Sequence, residues 1–176
     1  MTFEQWQAGV STTVTGDSLW KSEAYRLALF AADLAWHDVT KLVGDRRTIG
    51  LADQLYRAVG SVSANFSEGY SRQSPKDQAR FYEYSLGSAR EARGWYYKGR
   101  HVLTERVTEH RMQLLTQVIR LLLTIIPAER GFAMKDEAGS YSAVPRELLD
   151  VPPLPEGWLS PTANTQHATR NPQHPL

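Results

Sequence analysis

The chain has 176 residues, of which 41% are hydrophobic and 22% charged, a balance typical of a soluble globular protein. This composition excludes a wholly disordered or collagen-like chain, and the absence of cysteine excludes disulfides, thiolate metal sites and a cysteine nucleophile. The formal net charge of +1 is uneven, because residues 18–127 hold 16 Lys and Arg against 11 Asp and Glu, whereas both ends are acidic.

The chain divides into three parts by composition. Residues 1–17 contain no Lys or Arg and no apolar run, so we expect a flexible N-terminal segment, no secretory signal and a cytoplasmic location. Residues 18–127 have a helical period throughout and are expected to form the folded body. Seven of the nine prolines lie beyond residue 127, so residues 128–176 are expected to be a Pro-rich tail, either disordered or strapped on the surface.

Two helices are predicted in the first half of the body. The first spans residues 18–43, where small and apolar residues recur at spacings of three and four. The second spans residues 49–68, and its apolar side recurs with the same period. We expect Gly69 to end this helix in a left-handed conformation, because glycine has no Cβ to clash there.

The third predicted helix has the clearest start signal in the chain. Ser74 suits the N-cap and Pro75 the first helical position, and the helix continues to about residue 101. Gly87 and Ser88 lower its helix propensity, so we expect another backbone to pass close to them. The fourth helix spans residues 104–126 and is expected to stop at Pro127.

The fourth predicted helix carries an apolar arc that is wider than the core of one helix bundle needs. We therefore expect a second buried face, packed against the tail or against another subunit. The residues assigned to this oligomer interface are Leu115, Ile119, Leu122 and Ile126. Four helices with short connections and no strand pattern predict an all-α fold, an antiparallel up-down four-helix bundle with a largely irregular C-terminal tail.

The segment between the second and third predicted helices carries many characteristic residues at fixed spacing. They are Gln54, Arg57, Ala58, Asn65, Glu68, Gly69, Tyr70, Arg72, Phe81, Leu86, Gly87 and Ser88. Over residues 21–127 this pattern resembles the bacterial four-helix-bundle family of 23S rRNA intervening-sequence proteins. It is also similar to the accessory variability determinants of diversity-generating retroelements. The resemblance implies a ring-shaped homopentamer with a basic outer surface, which in the retroelement members binds nucleic acid and a reverse transcriptase.

A basic surface is predicted on the third helix. Arg90, Arg93, Tyr97 and Arg100 step by three, four and three residues and so share one helical face. Cations beside a tyrosine are suited to gripping phosphates and stacking a base, although a solvated face with local salt partners has the same pattern. The predicted nucleic-acid-binding residues are Arg57, Arg72, Lys76, Arg80, Arg90, Arg93, Tyr97 and Arg100.

Signals for catalysis or for a metal are missing from the sequence. No Glu is followed by His three residues later, as a di-iron site in a helix bundle requires. No nucleophile elbow, phosphate-binding loop or dinucleotide fingerprint occurs either, so we expect no enzyme activity, no metal and no cofactor. We expect Glu105 and Glu109 to offset Arg106 and Arg111 on the surface of the fourth helix.

Two functions remain open from the sequence. The first is an oligomeric accessory protein that binds RNA or DNA together with a reverse-transcriptase-type partner, as the resemblance implies. The alternative is a protein-interaction scaffold of the intervening-sequence type that has no nucleic-acid activity. Neither function involves a membrane, because the longest apolar stretch is interrupted by polar residues.

Overall fold

The computed structural model describes residues 2–129, and every regular element in that range is helical. The elements are α1 (Phe3–Gly9), α2 (Thr12–Thr15), a 3₁₀ turn (Ser18–Lys21), α3 (Glu23–Leu42), α4 (Ile49–Tyr70), α5 (Pro75–Gly99) and α6 (Glu105–Glu129). The predicted all-α class is confirmed for these residues. The predicted Pro-rich tail lies outside the described residues, apart from its first two.

Local sequence signals explain where the helices begin. Thr2 and Gln5 form a reciprocal capping box that starts α1, and the Ser22 hydroxyl accepts from a backbone N–H in the first turn of α3. Pro75 occupies the first turn of α5 as predicted, although the Ser74 side chain makes no capping hydrogen bond. These starts depend on neighbouring residues alone, but only the start of α5 was predicted. Helix α1 was not predicted, and α3 begins at Glu23, after the 3₁₀ turn that occupies the predicted start at residue 18.

The four long helices enclose one hydrophobic core. Helix α3 packs against α4 and α6, and α5 also packs against α4 and α6, so each long helix contacts two others. Fully buried side chains from all four helices meet between them, including Leu34, Leu55, Tyr96 and Leu114. Burying one such leucine contributes roughly 1.5–3 kcal/mol, so this shared core is the main source of stability.

Residues 1–17 differ from the predicted flexible segment, because most of them form helices and α1 packs on the body. Phe3 and Trp6 are buried, and their rings lie 5.1 and 5.2 Å from the ring of Phe30. The Trp6 indole also donates a hydrogen bond of 2.6 Å to Asp33. Two aromatic residues three positions apart share one face of α1, so together they cover the middle of α3 around Phe30.

The predicted oligomer interface is wrong as assigned, because its residues are buried within their own chain. Helix α6 packs against both α3 and α5, so the wide apolar arc fills the space between two neighbours. Sequence alone does not show how many neighbours one helix contacts. The four residues and their exposed fractions are Leu115 at 0%, Ile119 at 5%, Leu122 at 0% and Ile126 at 8%.

Three expectations about glycine and proline are also corrected. Gly69 lies inside α4, in the right-handed conformation, and its lack of a Cβ makes room for Tyr82. An added Cβ there would lie only 2.8 Å from the Tyr82 ring, whereas at Gly87 it would meet no atom within 4 Å. Pro127 does not end α6, which continues to Glu129. In the last turn, a proline removes one hydrogen bond and leaves the preceding ones intact.

Helix α6 is long and apolar enough to cross a membrane by length and composition, with a mean hydropathy of 1.2 over its best window. Core helices of soluble proteins pass the same test. The expectation that no membrane is involved therefore stays a prediction.

Candidate nucleic-acid interface

A groove between α5 and α6 brings together part of the predicted basic surface. The groove is open to solvent and has a volume of about 470 Å³. From α5 come three of the four predicted residues, Arg90, Arg93 and Tyr97, because positions three and four apart lie on one side of a helix. The remaining lining residues are Gly94 from α5 and Glu109, Met112, Gln113 and Thr116 from α6.

Contacts within the groove orient its cations and its aromatic ring. The Arg93 guanidinium donates to the Thr116 hydroxyl at 3.0 Å, which ties α5 to α6. The Arg100 guanidinium lies 4.0 Å from the centre of the Tyr97 ring and donates to the Tyr97 carbonyl oxygen at 2.8 Å. Arg100 therefore joins the site by holding Tyr97, whose side chain remains 54% exposed.

The groove also contains a carboxylate. Glu109 lines the α6 wall, and the Gln113 amide donates to it at 2.7 Å. A phosphate is repelled by this carboxylate and attracted by the arginines on the opposite wall. The two walls therefore favour different parts of a bound molecule.

The other predicted basic residues lie outside the groove. Arg72 and Arg80 both lie close to the Phe81 ring, and both are paired with acids, Glu68 and Asp77 respectively. Lys76 is exposed in the first turn of α5. It precedes Arg93 by 17 residues, or about 25 Å along the helix. These three residues form a separate basic cluster at the α4–α5 turn.

Arg57 belongs to neither cluster. It lies on α4, its side chain is 72% exposed, and its guanidinium is 3.9 Å from the carboxylate of Asp53. The predicted binding set is therefore divided over two helices and the turn between them.

A buried ion pair between α3 and α6 was not predicted. Arg111 Nε donates to Asp38 Oδ2 at 2.8 Å, and a second guanidinium nitrogen reaches Oδ1 at 3.3 Å. The two side chains are only 1% and 4% exposed, so the expectation that Arg111 lies on the surface is wrong. A signal was present, since Arg111 precedes Leu114 and Leu115 by three and four residues and shares their buried face.

Tyr96 brings α5 into the same network. Its hydroxyl donates to Asp38 Oδ2 at 2.9 Å. Burial raises the pKa of Tyr96 well above its ordinary value, and the nearby Asp38 carboxylate raises it further. His110 completes the network, with Nδ1 2.9 Å from an Arg111 guanidinium nitrogen. The network joins three helices inside the core, away from the groove, and we assign it a structural role.

Comparison with known proteins identifies the family. A family model described as 23S rRNA-intervening sequence protein matches residues 21–124, from the start of α3 to near the end of α6. The chain belongs to this family. Neither a curated protein nor a solved structure matches it.

The characteristic residues of this intervening-sequence protein lie mostly where α4 meets α5. Asn65 donates to the Ser88 hydroxyl at 3.4 Å, and the Ser85 hydroxyl donates to the Val62 carbonyl oxygen at 2.8 Å. Near the C-terminal end of α4, the missing Cβ of Gly69 makes room for the Tyr82 ring of α5. Asn65, Gly69 and Ser88 therefore take part in packing α4 against α5, and these contacts do not assign a ligand.

Metal ligation has no support in the part of the chain that the structure describes. Between residues 2 and 129, no three His, Asp or Glu side chains are grouped so that they could hold a metal ion.

Proposed function

We propose that this intervening-sequence protein is a non-catalytic, oligomeric accessory protein that binds nucleic acid through the basic side of α5. The observation that supports this function is the α5–α6 groove, where Arg90 and Arg93 lie beside Tyr97 and Arg100 stacks on the tyrosine ring. Guanidinium groups bind phosphates with strong, directed hydrogen bonds, and exposed aromatic rings stack on bases.

The proposal specifies a fold, an assembly and a partner. The fold is an antiparallel up-down bundle, which short connections and the pairwise contacts of α3 to α6 support. The assembly is a cytoplasmic homo-oligomer, a pentamer by resemblance, and the partner is a reverse-transcriptase-type polymerase. Co-elution of the protein with such a polymerase on a sizing column is the direct test of that partner.

Apolar surface for the assembly remains between α3 and α4. Trp36 and Tyr56 are 53% and 44% exposed, and their rings contact each other edge to face with centres 5.9 Å apart. Exposed aromatic pairs of this kind are favourable anchors for a protein interface. This surface replaces the four α6 residues that are buried within the subunit.

Binding of structured RNA and of single-stranded DNA as a function of salt tests the nucleic-acid function. The protein is expected to bind at about 50 mM salt and to weaken as salt rises, because bound cations are released from the phosphates. The double variant Arg90→Gln/Arg100→Gln should bind more weakly. For single strands, its salt slope should fall by about 0.7, for the one phosphate that Arg90 no longer neutralises, while the loss of Arg100 acts through Tyr97.

A matched control is Lys21→Gln/Arg46→Gln, which removes the same charge from exposed positions just before and just after α3. This variant should retain the binding and the slope of the natural chain. Equal losses in both variants would show that net charge alone causes the binding. Absence of binding at about 50 mM salt would refute the nucleic-acid function.

The second candidate is a protein-interaction scaffold, and the exposed pair Trp36 and Tyr56 favours it. Light scattering tests the assembly that both candidates share. An oligomer that binds no nucleic acid would select the scaffold. A monomer at micromolar concentration would contradict both.

A further inference from the structure

We infer that the α5–α6 groove is a pocket for one unpaired base that carries an exocyclic amino group, such as cytosine. This inference rests on the proposed function and names its substrate class, single-stranded nucleic acid in place of duplex. Three observations carry it: the size of the groove, the exposed ring of Tyr97 and the carboxylate of Glu109.

The size and the ring together favour a single unpaired base. The groove, at about 470 Å³, is within the range of about 300–1,000 Å³ that small-molecule sites occupy. Tyr97 lines it and is 54% exposed, and the stacked Arg100 covers one face of its ring. The opposite face is suited to stacking on a base. Bases inside a duplex have their faces covered by their neighbours, so a stacking site selects single strands.

The Glu109 carboxylate determines which wall of the groove faces the base and which faces the phosphate backbone. Arg90 and Arg93 precede Tyr97 by seven and four residues, which places them on its side of α5. Phosphates are expected on this wall. Glu109 on the facing wall repels phosphate but accepts hydrogen bonds from an amino group such as N4 of cytosine, and Gln113 orients it. Thymine presents a carbonyl oxygen at the same position, which a carboxylate disfavours.

Gly94 provides a test of the groove that leaves the core intact. It lines the groove, and a Cβ added there would meet no atom within 4 Å. A longer side chain at this position would extend into open groove space and leave the helix undisturbed. Gly87 is the matched control, because it lies on the same helix, is exposed, has the same open surroundings and does not line the groove.

The experiment measures binding of the full chain to oligo-dC, oligo-dT and a duplex of equal length by fluorescence anisotropy. Oligo-dC is expected to bind most tightly. Gly94→Met should weaken oligo-dC binding at least about tenfold, and Tyr97→Leu about 5- to 150-fold, the range typical of losing one stacked base. Gly87→Met should change it less than about twofold. Glu109→Gln should bring oligo-dC and oligo-dT within about twofold of each other.

The outcomes separate this inference from the function on which it rests. If the oligonucleotides bind with a salt slope that Arg90→Gln/Arg100→Gln reduces, while Gly94→Met binds normally or oligo-dT equals oligo-dC, the single-base pocket is refuted and the basic surface stands. If no oligonucleotide binds, the nucleic-acid function fails and the inference fails with it.

Discussion

Breaking the buried ion pair between Asp38 and Arg111 should destabilise the protein more than any surface substitution. Arg111→Met leaves the Asp38 carboxylate with Tyr96 as its remaining described donor, and Asp38→Asn leaves a guanidinium that is 1% exposed without a counter-charge. Removing one partner of a buried pair costs about 3–5 kcal/mol. Single domains have total stabilities of about 5–15 kcal/mol, so either change removes a large part.

The double variant Asp38→Asn/Arg111→Met should recover most of that loss. It contains no unpaired buried charge, and the asparagine side-chain oxygen still accepts from the Tyr96 hydroxyl. Replacing a whole buried ion pair by neutral groups of similar volume is often close to neutral. The two single losses should therefore sum to several kcal/mol more than the loss in the double variant, which is a strong coupling.

Chemical and thermal denaturation, followed by circular dichroism, measure the four free energies of unfolding. Each single variant should lower the melting temperature by about 6–20 °C, at about 2–4 °C per kcal/mol for a chain of this length. Single losses below about 1 kcal/mol, or a double variant whose loss equals the sum of the two, would refute a buried, desolvated pair.

Three further predictions concern packing and titration. Gly69→Ala should destabilise the protein by about 1–3 kcal/mol in urea unfolding, because the added Cβ would lie 2.8 Å from the Tyr82 ring. The control is Gly60→Ala on the same helix, where the added Cβ meets nothing within 4 Å, so this change should be neutral or stabilising. Trp6→Ala should cost about 3–5 kcal/mol, because the indole is buried against Phe30. The pKa of Tyr82 is raised to about 12, by burial first and then by nearby Glu129, so ultraviolet titration of Tyr82→Phe should show one late-ionising tyrosine fewer than the natural chain.

The direction of the pH effect follows from that shift. The unfolded chain loses the Tyr82 proton near pH 10.0 and the folded chain near 12, so the stability that Tyr82 contributes is fully present below pH 10.0 and is lost as pH rises towards 12. A Tyr82→Phe variant that lacks only a group ionising near pH 10.0 would contradict this. Equal stability of Gly69→Ala and Gly60→Ala would contradict the close approach of Tyr82, and a Trp6→Ala variant as stable as the natural chain would show that α1 is not part of the core.

Features that depend on residues close together in the chain were predictable from the amino-acid sequence. The helical period predicted all four long helices, and Ser74 followed by Pro75 marked the start of α5 to the residue. The spacing of Arg90, Arg93 and Tyr97 placed them on one side of that helix, as the groove shows. Such features are predictable because helix geometry relates positions three and four apart before any tertiary contact forms.

The packing of the helices determines which helix faces are covered and which parts of the chain cover them. The apolar arc of α6 indicated a second buried face, but its neighbour is α3 or α5 of the same chain and not another subunit. Arg111 and Asp38 are 73 positions apart and meet only because α3 packs against α6. Phe3 and Trp6 likewise become core residues by packing on Phe30 of α3. Burial depends on which distant parts of the chain come into contact, and a local pattern of residue types does not specify those contacts.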